Sequence, residues 1–206
     1  EQVIFQIGIT AFLILVAYYG TEAYAAYGIG VQILSFSFVI GFGFSIAGAT
    51  LVGQHLGAQN KDQAKRAGWG AMRLSIISMT FFGIVIVAFA EPLARFMIDN
   101  DEVVRLTVIF IWLLGSMQPL MAIEFSLGGA LRGAGDTKTP LVITLTCLLF
   151  IRVFLAVIFF LLDASIEIIF STLLADYIVK GFLYVSRFKS GRWMNVLKIK
   201  EVDQQL

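Results

Sequence analysis

Charge, proline, cysteine and histidine are all scarce in this chain. Charged residues make up 14% of its 206 residues, alongside 3 Pro, 1 Cys and 1 His. The single Cys147 falls inside an apolar run and has no partner, which excludes an internal disulfide and a cysteine-based zinc site. His55 stands alone beside Gln54 and reads as a polar group at a helix end. No nucleophile–base constellation, metal-ligand spacing or P-loop is present. Gly133-Ala134-Gly135-Asp136 is a turn without the Gly-Lys-Ser/Thr ending of a phosphate loop. Nothing in the residues supports catalysis or a bound cofactor.

Apolar sequence fills the space instead. The hydrophobic fraction is 59% and the mean hydropathy +0.88, against about 45–50% apolar for soluble domains. Six apolar stretches run through residues 3–19, 29–52, 71–90, 103–123, 141–162 and 166–185. A helix needs about 20 apolar residues to cross the hydrocarbon core. Only helices and closed barrels satisfy their own backbone in lipid, and these runs lack period-2 alternation. The expected fold is an all-α membrane protein, a six-transmembrane-helix bundle over residues 1–187. Its spans are read as 3–19, 24–56, 62–90, 102–130, 139–162 and 165–187, followed by a basic tail, 188–206.

The loops alternate in chemistry. Those after the second and fourth spans carry Lys61, Lys65, Arg66 and Arg73, then Arg132 and Lys138; the tail adds Arg187, Lys189, Arg192, Lys198 and Lys200. The remaining loops carry Glu22, then Glu91, Asp99, Asp101 and Glu102, then Asp163 and Glu167, opposed only by Arg95 and Arg105. Basic loops stay cytoplasmic, so both termini and the basic loops are expected inside. The basic groups lie beside membrane spans without a nucleic-acid motif and read as a topology signal with anionic-lipid contact. The first apolar run lacks a preceding basic region and a cleavage site, so it does not read as a signal peptide. The chain opens on Glu1 and meets that run almost at once, so it is expected to be part of something longer.

Local punctuation refines the spans. The second is Gly-rich (Gly28, Gly30, Gly41, Gly43, Gly48, Gly53); small residues allow close helix packing and also bending, and both readings stand. Glu91-Pro92 is expected to open a short interfacial helix, with Asp99 or Asp101 capping the next span. Pro119 is expected to kink the fourth span. Thr139-Pro140 reads as N-cap and first position of the fifth.

Ionisable groups inside spans are costly and mark function or a specific pair. Three fall there: Glu124, Arg152 and Asp176. Arg152 lies twelve residues before Ala164 and Asp176 twelve after it, each about 18 Å below the outer end at 1.5 Å per residue. An Arg152–Asp176 ion pair is expected, with Lys180 one turn on to share the carboxylate. It serves either as a helix lock or as an ion relay. Glu124 has no basic neighbour in its own helix before Arg132; it carries a proton or attracts a cation, or it bonds a polar group on a neighbouring helix. Gln32 and Gln118 complete the candidate transport residues. Phe36, Phe38, Phe42, Phe110 and Trp112 either line an aromatic pocket for an organic cation or face lipid.

Two inner-loop blocks carry a resemblance. Gly48-Ala49-Thr50-Leu51-Val52-Gly53-Gln54-His55-Leu56-Gly57-Ala58 and Gly128-Gly129-Ala130-Leu131-Arg132-Gly133-Ala134-Gly135-Asp136-Thr137-Lys138-Thr139-Pro140 resemble the MATE family of multidrug and toxic-compound exporters. The spacing between them fits over nearly the whole chain. The marks of the resemblance are Gly53, Gln54, Gly57, Arg132, Gly133, Gly135, Asp136, Thr137 and Pro140. Family members have two six-helix lobes, and the outer turn Tyr19–Ala26 with the basic tail looks like the second. The resemblance implies half of a twelve-helix antiporter exchanging H⁺ or Na⁺ for organic, often cationic, compounds. Its partners would be the N-terminal lobe and membrane lipid. Many members carry acids at positions that fall here at Phe5 and Met121, neither acidic, with Glu1 and Glu124 each about one turn away. The departure implies a branch whose coupling carboxylates sit in the other lobe. A lipid-linked oligosaccharide flippase of the same superfamily and a non-transporting six-helix membrane module are the alternatives.

Overall fold

A computed structural model describes residues 2–196, which are helical nearly throughout. Lys198, Lys200 and the polar end of the tail lie outside the described residues, as do Glu1 and the side chain of Phe5. In order, the helices are α1 (Gln2–Ala17), α2 (Thr21–Gly57), α3 (Lys61–Ala88), α4 (Ala90–Met97), α5 (Asp101–Ser116), α6 (Gln118–Gly133), α7 (Lys138–Thr146), a π-helical segment (Cys147–Val153), α8 (Phe154–Leu161) and α9 (Ile166–Ser190). α2, α3 and the α7–π–α8 and α9 spans are each long and apolar enough to cross a membrane; α5 and α6 form one further span bent by 53°. α1 is shorter. Large apolar side chains such as Phe36, Ile77, Phe81, Phe150 and Phe182 are exposed on the outside. That surface suits lipid, where apolar exposure carries no penalty.

The long α2 is the spine, packing on α3, α5 and α6, while α1, the π segment and α9 close the other side. Where α2 meets α6 the backbones nearly touch. A Cβ at Gly129 would lie 2.1 Å from the Ser45 carbonyl oxygen, and one at Gly133 2.1 Å from that of Ala49. Close packing therefore explains these glycines. One end of the bundle holds an apolar core around Phe12, Tyr27, Phe110 and Phe170; the opposite end holds a second around Leu131, Tyr184, Phe188 and Trp193.

Several local expectations are corrected. Asn100, rather than Asp99 or Asp101, caps α5, accepting from the backbone N–H groups of Glu102 and Val103. Thr139 is not the N-cap of the fifth span. The helix already starts at Lys138, and Asp136 accepts from the Thr139 N–H and hydroxyl. Asn and Asp both place an oxygen one short side chain from the first free N–H groups, so the neighbours were chemically equivalent candidates. The fourth span, read as continuous over 102–130, breaks at Met117, two residues before Pro119. Pro119 cannot donate to the preceding turn, and the chain bends there. The interfacial helix forms as α4, starting at Ala90 with Pro92 in its first turn. α9 continues to Ser190; Trp193 folds back to donate its indole N–H to the Phe188 carbonyl and to stack on that ring at 4.6 Å.

A cavity with buried charge at the centre of the bundle

Between α1, α2, α5, α6, α7, the π segment and α9 lies a cavity of about 740 Å³, within the size range of sites for drug-sized molecules. Its walls are largely aromatic: Tyr27, Phe38, Phe42, Phe110, Phe125 and Tyr177. Phe42 and Phe125 meet edge-on at 5.0 Å, and Tyr27 and Phe110 at 5.1 Å. Three charged residues, Glu124, Arg132 and Arg152, also reach it.

The buried charges centre on Lys180, which is 1% exposed. Its Nζ lies 3.1 Å from Asp176 Oδ2, one turn away on α9, and 3.6 Å from Glu124 Oε1 on α6. It also sits 5.2 Å from the Tyr177 ring centroid. Asp176 is fully buried, and neither of its oxygens has a hydrogen bond; the lysine is held by proximity and charge. Lys180 thus bridges two acids on two helices, and Glu124 takes the reading of a carboxylate bonded across to a neighbouring helix.

The expected Arg152–Asp176 pair is not formed. Among the described residues no carboxylate lies within ion-pair distance of Arg152. Its guanidinium instead stands over the Phe12 ring of α1, 5.0 Å from the centroid. Equal depth was estimated from regular α-helical rise, and depth does not fix direction. Arg152 belongs to the π segment, whose wider turn rotates the side chains that follow, and it points toward α1 rather than α9.

The other candidates separate. Gln32 is exposed and lines a different, outward groove with Phe36, Phe82, Leu93, Phe96 and Met97. Gln118 is fully buried at the bend, where both of its amide atoms lack hydrogen-bond partners and its Cγ lies against Gly83 of α3. Neither lines the central cavity. Phe38, Phe42 and Phe110 do line it, whereas Phe36 and Trp112 point outward. Met121 is buried in an apolar cluster with Met79 and Ala122.

The loop residues act as structure. Gly53 approaches the Gly133 carbonyl, where an added Cβ would sit at 3.0 Å. Gly57 ends α2 with open space around it, and Gln54 is exposed, its carbonyl accepting from Ala58 N–H. Gly135 adopts φ +82°, which favours glycine. Asp136 is buried and accepts from Nε and Nη2 of Arg187, at 2.9 and 2.7 Å. Thr137 is exposed and Pro140 buried. Arg132 reaches Ser45 on α2 at 3.4 Å.

Sequence reasoning missed Tyr177, Tyr184 and Phe125 in the cavity wall and Arg187 as the partner of Asp136. The tyrosines were findable: positions 177, 180 and 184 share one helical face with the buried Lys180.

A family model described as MatE matches residues 1–158. The chain belongs to the MatE family. A probable multidrug resistance protein NorM of Thermotoga maritima is 34% identical over 202 residues, covering 94% of this chain and 42% of that protein. One of Mesorhizobium japonicum is 32% identical over 126 residues, covering 59% of the chain and 27% of that protein. The chain therefore spans less than half the length of the relatives it matches. Among solved structures, a MOP superfamily transporter from Pyrococcus furiosus superposes with a TM-score of 0.81 at 18% identity, over 89% of this chain and 40% of that one. An outward-facing multidrug resistance MATE transporter gives the same TM-score and identity, over 89% and 41%. The fold of this MatE chain is thus an all-helical membrane bundle of the MATE type, integral to the membrane.

Proposed function

We propose that the chain forms one six-helix lobe of a twelve-helix secondary antiporter that exports organic, often cationic, compounds in exchange for H⁺ or Na⁺. The lobe would rock against an N-terminal partner lobe, giving alternating access as transporter repeats do. One observation carries the reading: an aromatic-walled cavity of drug-binding size in the middle of the bundle, with the Glu124 carboxylate at its wall. Aromatic faces and a carboxylate together suit an organic cation. The relatives' names as probable multidrug resistance proteins support the same class.

Glu124 shares Lys180 with Asp176, so it tunes the cavity rather than standing alone as the coupling acid. Met121 is apolar where the family resemblance places an acid, which favours coupling carboxylates in the other lobe. We place the protein in the cytoplasmic membrane with both ends of this segment inside, on the strength of its basic inner loops.

The test is efflux of a cationic dye from cells expressing the full-length protein. Glu124→Gln is expected to reduce efflux without abolishing it; complete loss would locate the coupling acid in this lobe. Absence of efflux together with translocation of a lipid-linked oligosaccharide would replace the export reading with that of a flippase.

A further inference from the structure

Arg152 is a buried cation of the described cavity wall that forms no ion pair with a described carboxylate. It is 6% exposed, lines the cavity, and has no carboxylate within ion-pair distance. Glu124, which shares the cavity wall with Arg152, and buried Asp176 are both engaged by Lys180. The Phe12 ring covers one face of the guanidinium, but its five N–H donors lie in the plane of the group. A ring over the face cannot accept them, and Nε is buried without a hydrogen bond. An arginine near mid-membrane with unused donors is costly. A group that brings an opposite charge and planar acceptors would relieve that cost.

Its surroundings say what else such a group should carry. Phe12 packs against Tyr27 at 5.8 Å, and Tyr27 against Phe110 at 5.1 Å. An aromatic wall thus leads from the guanidinium into the cavity, which both Tyr27 and Phe110 line. The π segment sets this arrangement, since it turns Arg152 away from α9 and toward α1.

We infer that Arg152 anchors an oxyanion subsite in the cavity, taking the carboxylate or phosphate of an apolar, preferentially aromatic, molecule. The guanidinium fork matches two oxygens of such a group, while the body of the ligand lies along Tyr27 and Phe110. This inference rests on the cavity being the substrate cleft of an exporter, and it enlarges the substrate class beyond cations. The oxyanion can be supplied by a small organic acid or by a lipid headgroup.

Binding, rather than transport, tests it. The full-length transporter is placed in phosphatidylcholine nanodiscs and titrated with radiolabelled 1-naphthylacetate and with neutral 1-naphthylacetamide. The wild type is expected to prefer the acid. Arg152→Gln should weaken acid binding by about tenfold or more, the scale of one charge-assisted hydrogen-bonded contact, and leave the amide unchanged. Arg152→Lys should retain most of the acid binding. If the oxyanion is a lipid's, adding phosphatidylglycerol to the discs will raise the melting temperature of wild type but not of Arg152→Gln, and will displace the acid. Three results overturn the subsite: a wild type that does not prefer the acid and does not respond to phosphatidylglycerol, equal weakening of both probes, or acid binding indifferent to Arg152→Gln. The first needs no variant to fold. Loss of dye efflux with Arg152-dependent acid binding intact would sink the export reading and leave the subsite standing.

Discussion

At the scale of single residues, the bundle's interior is governed by how few cations it has to share. Lys180 faces Asp176 and Glu124 at once, so its removal strands two carboxylates. Breaking a buried pair by deleting one partner costs about 3–5 kcal/mol, because the remaining charge is left uncompensated. Lys180→Met is therefore expected to lower the thermal unfolding temperature of the detergent-purified protein sharply, and a second change, Asp176→Asn, to restore part of the loss, since Glu124 stays charged. If the double variant is no better than the single one, Lys180 is held by packing alone. A second ion pair sits beyond the end of α6, where buried Asp136 takes both Arg187 and Thr139. Asp136→Asn keeps the shape and the cap to Thr139 but removes the charge. Because Arg187 is partly solvated, the expected loss is about 2 kcal/mol, in the range of a hydrogen bond to a charged group, read in the same unfolding assay.

At the scale of elements, the helices were legible where chemistry is one-dimensional and illegible where it depends on direction. Apolar runs, the Pro119 kink and the Glu91-Pro92 start each follow from local residue types, and each has its counterpart in the structure. The Arg152–Asp176 pairing failed because it needed the azimuth of two helices, and the π segment changes the azimuth of one without any composition signal in Cys147–Val153. The caps failed by one position and by three, since Asn100 lies between Asp99 and Asp101, and Asp136 lies three residues before Thr139. Of the candidate site, Glu124 and Arg152 reach the cavity, whereas Gln32 and Gln118 share its polarity but face elsewhere. The glycines separate in the same way. Gly129 and Gly133 hold α6 against the α2 backbone, while Gly57 has open space. Gly133→Ala must push two helices apart and is expected to reduce folded yield and stability by about 2 kcal/mol or more, as overpacking does. Gly57→Ala should stay within about 0.5 kcal/mol, as surface changes do. Similar losses from both, by thermal unfolding, would count against close packing as the reason for the motif.

At the scale of the whole molecule, the basic inner loops and the acidic outer corners make a statement about orientation. α2 has 37 residues, about 55 Å at 1.5 Å per residue, while the hydrocarbon core is about 30 Å thick. Its last turns, with Gly57, must therefore project into water on the side where Lys61, Lys65 and Arg66 are exposed. At the other end, Arg95 is tied to Glu91 and Asp101, and Arg105 to Glu102 and Glu167, an acidic corner where α4 meets α5. Cytoplasmic retention of lysine and arginine leads us to expect Ala58 inside and Asp99 outside. Both positions are exposed, so each accepts a reporter without disturbing packing. In a full-length protein freed of other reactive cysteines, with Cys147→Ser in this segment, Asp99→Cys should react with a membrane-impermeant maleimide on intact cells. Ala58→Cys should react only after the membrane is opened. The reverse pattern would invert the lobe, and with it the side from which the Arg152 and Glu124 cavity is filled.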